Sequence, residues 1–163
     1  MQDVEIFSDG SARGNPGNGG FGALLRFTDS KGQVHERELS QGYELTTNNR
    51  MELLGVIRAR QLLKRPCRVR VQTDSKYVVD AFNKDWISGW KRRGWKNAKK
   101  DPVANRDLWE ELLAALGAHE VTFTWIKGHA GHDENERCDA LATAAADGSA
   151  LIVDEGYLKA AKS

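Results

Sequence analysis

Apolar and polar residues alternate in short runs that give way to helical spacing and then return. The run Val4-Glu5-Ile6-Phe7-Ser8 predicts a strand over 3–8, and similar runs predict strands over 20–28, 32–42, 68–73 and 120–126. Between them, apolar positions spaced by three and four predict helices over 47–64, 75–83, 105–116 and 134–146. The turn signal Asp29-Ser30-Lys31-Gly32 joins the second and third strands, so the first three should form an antiparallel meander. The fourth and fifth strands are reached through helices and should run parallel to the first. The pattern specifies an α/β fold in one domain over 1–146. The tail, 147–163, carries no assignable pattern.

Two helices show where chemistry could sit. On 47–64, Met51, Leu54, Ile57 and Leu62 lie near helical spacing, while Asn48, Glu52 and Gly55 share another face. The missing side chain of Gly55 predicts close approach to a strand. On 134–146, Cys138, Leu141 and Ala145 form an apolar stripe with Asp139 beside it.

Four carboxylates fall where such a fold delivers residues to one point. Asp9 ends the first apolar run and precedes the glycine-rich stretch Gly10 to Gly22; Asp74 ends the run Val69 to Thr73. Glu52 follows the helix-starting Thr46-Thr47-Asn48-Asn49, and Asp139 follows the loop Gly128-His129-Ala130-Gly131-His132. Ligands gather at the carboxyl ends of strands in open α/β sheets. Clustered acids need a hard cation to offset their repulsion. The layout therefore points to a metal-dependent phosphodiester site. Singly, each acid has an ordinary reading: Glu52 could favour its helix N-terminus and Asp74 could cap the next helix.

Composition changes this picture little. With 163 residues, 40% hydrophobic and 29% charged, the chain reads as globular and long enough for a core. No signal-peptide pattern and no membrane-length apolar run is present, so cytoplasm and no membrane are expected. Cys67 and Cys138 match no metal-ligand spacing and should pack as small buried side chains.

Charge distribution is more informative than the net +1. The window from Lys84 to Lys100 holds seven bases and one acid, which makes it +6 against −5 for the remainder. Trp86, Trp90 and Trp95 fall in the same window. It is either a solvated helical hairpin anchored by tryptophans or a cationic handle for a nucleic-acid backbone.

Several blocks together carry a family resemblance. Asp9-Gly10-Ser11 with Gly14-Asn15-Pro16-Gly17, then Thr46 to Leu53, Thr73-Asp74-Ser75, the tract Trp86 to Trp95, Asp107-Leu108-Trp109 and Trp125 to Asp139 resemble bacterial type 1 ribonuclease H. The resemblance implies a ribonuclease H-like fold, with a mixed five-stranded sheet in the order 3-2-1-4-5 flanked by helices. It implies hydrolysis of the RNA strand of RNA–DNA hybrids by a two-metal mechanism, leaving 5′-phosphate and 3′-hydroxyl ends. Two Mg2+ ions, which Mn2+ could replace, would be held by Asp9, Glu52, Asp74 and Asp139, with Asp9 bridging.

The same resemblance assigns substrate contacts. Asn15, Asn48 and Asn49 would meet sugars and base edges in the wide minor groove of the hybrid, where the 2′-hydroxyl marks RNA. Thr47 and Asn105 resemble a pocket for a phosphate of the DNA strand, and the tract around Trp86 a cleft for DNA sugars. Lys91, Arg92, Arg93 and Lys96 would meet phosphates from the handle over 84–100. His129 matches a proton shuttle near the leaving group, though His129 and His132 also read as an H-x-x-H metal pair or as exposed loop residues. Two positions depart from the family pattern: Asp133, where relatives often carry proline, and Leu45, where they often carry arginine. A monomer is expected. The rivals are a hybrid-binding module without catalysis and another nuclease or strand-transferase of the same fold.

Overall fold

The computed structural model describes residues 2–117, 119–127 and 133–162. Its order is β1 (Gln2–Ala12), β2 (Gly17–Thr28), β3 (Val34–Thr46), α1 (Asn48–Gln61), β4 (Cys67–Thr73), α2 (Lys76–Asn83), α3 (Trp86–Arg92), α4 (Arg106–Leu116), β5 (Glu120–Trp125), α5 (Asp133–Asp147), β6 (Leu151–Val153) and α6 (Glu155–Lys162). The strands form one mixed sheet in the order β5-β4-β1-β2-β3-β6. The meander is antiparallel, and β4 and β5 run parallel to β1 as the helical crossovers require.

The expected five-stranded order is embedded in this sheet, and the sequence pattern missed its sixth strand. Leu151, Ile152 and Val153 pair in parallel with Gly42, Tyr43 and Glu44 at the free edge of β3. Two of those three side chains remain exposed, so no buried face imposes an alternation that could be seen in the sequence. The tail is thus ordered structure through α6. The short α3 also escaped the pattern.

The glycine-rich stretch is mostly strand rather than loop. Asp9, Gly10 and Ala12 pair with Gly22, Phe21 and Gly19 across the β1–β2 ladder, so Asp9 sits within β1 and not at its end. The glycines are there for packing. A side chain at Gly20, Gly22 or Gly42 would run into the α5 backbone at Ala142, Cys138 or Ala145. This glycine track lets α5 lie almost directly on the sheet.

Opposite faces of β1 serve the two helix layers. Val4 and Ile6 join Met51, Leu54 and Ile57 of α1 in the main core, with Trp109 and Leu112 of α4 behind them. Phe7 turns the other way and packs with Leu24 and Cys138 beneath α5. The buried stripe of α5 is Asn135, Cys138, Ala142 and Ala146, which replaces the expected Cys138-Leu141-Ala145 register. Both cysteines are free and buried.

Candidate active site

Three elements bring carboxylates together. Asp9 comes from β1, Glu52 from the second turn of α1, and Asp74 from the residue after β4. Each offers an oxygen, and the three oxygens lie within 4.8 Å of one another. Asp139, on α5, is outside that tightest group, but it hydrogen-bonds to the Asp9 carboxyl and acts on it electrostatically. The expected cluster is therefore assembled around Asp9, with Asp139 on its α5 side.

Local structure removes the ordinary readings of two of these acids. Thr47 caps α1 by accepting from the Arg50 amide, and Ser75 caps α2 by accepting from the Val78 amide. Asp74 is left outside the cap. Glu52 lies beyond the first turn of α1, where the helix N-terminus has little hold on it. Its Oε2 is buried and has no hydrogen-bond partner among the described residues, although the residue as a whole is partly exposed.

Electrostatics show the strain of gathering these charges. Asp9 is only 4% exposed. Burial, then Asp74 and then Asp139 push its carboxyl from 3.8 to about 8, against an opposing hydrogen bond from the Gly10 amide. Burial, then Asp9 and Asp74, hold Glu52 well above its ordinary value. Asp9 and Glu52 therefore hold protons at pH values where ordinary carboxyls have lost them. An all-oxygen donor set, an orphaned buried carboxylate oxygen and mutual repulsion together fit a hard divalent cation.

The surroundings of Asp74 are fixed by an aromatic lever that the sequence did not reveal. Trp125 donates from Nε1 to the Asp74 carbonyl at 3.1 Å, and Lys76 Nζ sits 4.5 Å above the Trp125 ring.

The expected substrate residues fall in two groups. Asn15 accepts from the Asn48 amide at 3.2 Å, and Asn48 in turn accepts from the Ala12 amide at 2.6 Å. These two asparagines stitch the β1–β2 turn to the start of α1, while Asn49 beside them is exposed. Asn105, in a left-handed conformation at the start of α4, donates to the Tyr77 hydroxyl and accepts from Arg50. Leu45 is exposed and also left-handed, with φ 42°. Arg50 itself, 2% exposed, is a residue the sequence reading passed over. An arginine just ahead of Met51, Leu53 and Leu54 in the first turn of a core helix was the available signal.

The handle separates its tryptophans by role. Trp90 is buried against Trp109, with ring centroids 5.3 Å apart, whereas Trp86 is exposed at one end of α3. Lys91, Arg92, Arg93 and Lys96 are all exposed. Arg93 also donates from Nε to the Lys96 carbonyl at 3.0 Å, which ties the handle's own turn. His129 and His132 lie outside the described residues. Asp133 opens α5, whose first turn also holds Glu134 and Glu136, an arrangement that suits a helix N-terminus.

Comparison with known proteins agrees with this geometry. The RNase H family model matches residues 1–147. A Ribonuclease H of Lachnoclostridium phytofermentans is 56% identical over 152 residues, 93% of this chain and 96% of that protein. A Ribonuclease H of Klebsiella pneumoniae subsp. pneumoniae is 54% identical over 158 residues, 97% of each chain. Among solved structures, LC9-RNase H1, described as a type 1 RNase H with the type 2 active-site motif, superposes with a TM-score of 0.82 at 35% identity, covering all of this chain and 82% of that one. LC11-RNase H1, solved in complex with an RNA/DNA hybrid, has a TM-score of 0.64 at 26% identity and covers 88% of this chain and 96% of that one.

Proposed function

The chain belongs to the RNase H family, and we propose that it cuts the RNA strand of RNA–DNA hybrids at the Asp9–Glu52–Asp74–Asp139 cluster. The observation that carries this reading is the convergence of three carboxylate oxygens within 4.8 Å, one of them contributed by a side chain with an orphaned buried oxygen. Relatives named Ribonuclease H and a hybrid-bound structural neighbour support it.

Mg2+ is the cofactor that best suits these ligands, because it prefers oxygen donors and keeps open positions for water and phosphate. When bound, a pair of such ions supplies Lewis-acid chemistry, activating a water on one side of the phosphate and stabilising the leaving oxygen on the other. Asp9, on which both Asp74 and Asp139 act, would be the ligand shared by the two ions. Glu52 would offer its unpartnered oxygen to the same ions, and Mn2+ is the natural substitute by the same donor chemistry. The products carry 5′-phosphate and 3′-hydroxyl ends.

The remaining residues bind and orient. Asn15, Asn48 and Asn49 line the turn where the minor groove of the hybrid would pass, and Thr47 with Asn105 would hold a phosphate of the DNA strand. Trp86 offers an exposed ring to DNA sugars, and the handle bases offer charge to the backbone. His129 serves as the proton carrier near the leaving oxygen. General acid–base help is worth about 10²–10⁴-fold, so His129→Ala should leave slow but measurable cutting. The protein works as a cytoplasmic monomer; no described helix is long and apolar enough to cross a membrane.

A direct test compares RNA–DNA hybrid, duplex RNA, duplex DNA and single strands, each with and without Mg2+. The proposal expects cutting of the hybrid alone, and only with the metal. Cutting of duplex DNA would overturn it.

A further inference from the structure

The C-terminal segment reaches the substrate side of the molecule through one buried arginine. Asp154, between β6 and α6, is 5% exposed. Its Oδ2 accepts from the Thr46 hydroxyl and from Arg50 Nε, each at 2.7 Å, and its Oδ1 accepts from Arg50 Nη2 at 3.0 Å. On the other side of the guanidinium, Asp107 accepts from Nη1 at 2.9 Å and from Nη2 at 2.7 Å. The last bond runs from Nη1 to Asn105 Oδ1 at 3.4 Å. A guanidinium has five N–H groups, and all five are used.

These bonds make a connected frame around Thr47 and Asn105. Asp154 holds Thr46, the residue before Thr47, and it fixes the arginine that fixes Asn105. The amide of Asn105 is set from its other end by the Tyr77 hydroxyl, which also accepts from Trp109 Nε1 at 3.0 Å. Asn105 starts α4 without a side-chain capping bond, so nothing in its own helix orients that amide. The tail is shaped to sit here. A side chain at Gly156 would collide with the Asp107 carboxylate and Arg50 Nη2, and β6 pairs with β3 just ahead of Leu45.

We propose that Asp154 is a positioning residue for the Thr47–Asn105 phosphate pocket, acting through Arg50, so that residues 151–162 form a working part of the substrate site. The inference rests on the hybrid-cleaving reading of the pocket. Asp154 touches no substrate. It sets the spacing and angle of two groups that do, because one carboxylate spans the end of β3 and the arginine beneath α4.

The test uses the full chain with Asp154→Asn, Asn105→Ala and the double variant, binding a hybrid in EDTA at several salt concentrations, well below each melting temperature. Asp154→Asn should weaken binding about tenfold, the scale of one misplaced charge-assisted contact. The slope of log K against log salt should stay close to parental, because Thr47 and Asn105 are uncharged and their contacts release no counterion. Asn105→Ala should give a similar loss, and the double variant no more than either alone. A merely structural role predicts a lower melting temperature with parental affinity, or losses that add; either result overturns the proposal. Should Asp154→Asn fail to fold, Asp107→Asn removes the half-exposed partner of the same arginine and must give the same pattern. A parent that binds hybrid no better than duplex DNA overturns the underlying reading as well. A parent that prefers hybrid beside an unaffected variant overturns the positioning role alone.

Discussion

Gly10 and Glu52 meet backbone to backbone: a Cβ at position 10 would lie 2.5 Å from the Glu52 amide nitrogen. The residue after Asp9 is therefore the point where α1 presses on β1, and that contact seats the Glu52 carboxylate beside Asp9. Gly10→Ala should push the second turn of α1 away, costing about 1–3 kcal/mol of stability. Cleavage should fall by roughly 10²-fold, because a shift near 1 Å at a reacting centre has that effect. Gly55 provides the contrast. A Cβ there meets Ser8 and Phe21 at 3.4 and 3.5 Å, ordinary contact distances, so Gly55→Ala should be tolerated or gain up to about 1 kcal/mol. Equal behaviour of the two variants in thermal melts and turnover would contradict this packing account.

The metal-free cluster should make stability depend on pH. The Asp9 carboxyl is raised from 3.8 to about 8, so between those values the folded chain binds more protons than the unfolded chain. Stability is then fully present below the lower value and is lost as pH rises through the upper one. Glu52 acts in the same sense. In EDTA, the parental melting temperature should fall as pH rises from about 5 to about 8.5. Asp9→Asn should flatten that fall, and Mg2+ should restore the parent most strongly at the alkaline end. A parental profile in EDTA as flat as that of Asp9→Asn would remove the repulsion on which the site depends.

The handle should act on binding rather than on chemistry. Replacing Lys91, Arg92 and Lys96 by alanine, while keeping Arg93 because it clasps the Lys96 carbonyl, leaves the fold of the segment in place. If two of the three meet phosphates, the salt slope of log KM should fall by about 2, with kcat at saturation close to parental. Sequence preference should stay the same, since phosphate contacts carry no base information. An unchanged slope would make the segment a solvated hairpin anchored by Trp90.

Much of this molecule was legible because burial imposes a period. Five strands and four helices follow from alternation and helical spacing, and the meander followed from Asp29-Ser30-Lys31-Gly32, where Asp29 Oδ1 accepts the amides of Lys31 and Gln33. The carboxylates were legible as a set, since Asp9 and Asp74 each follow a predicted strand while Glu52 and Asp139 each lie near the start of a predicted helix. What escaped lacks a period. β6 has three residues, two of them exposed, and exists because β3 offers an unpaired edge. The short α3 follows Asp85, which adopts a left-handed conformation and makes no side-chain cap, and its seven residues are too few for helical spacing to show. The Arg50–Asp154 pair joins residues 104 positions apart, a relationship visible only after folding.

The central claim is that the carboxylate cluster cuts the RNA strand of a hybrid and nothing else. The most direct measurement labels each strand of one hybrid separately and follows both during a Mg2+ titration, for the parent and for Asp9→Asn. The account predicts that the parent cuts only the RNA strand, leaving 5′-phosphate and 3′-hydroxyl ends, with no cutting in EDTA. Asp9→Asn should still bind the hybrid yet show no Mg2+-dependent cleavage. Cutting of the DNA strand, or substantial Mg2+-dependent turnover by Asp9→Asn, would contradict it.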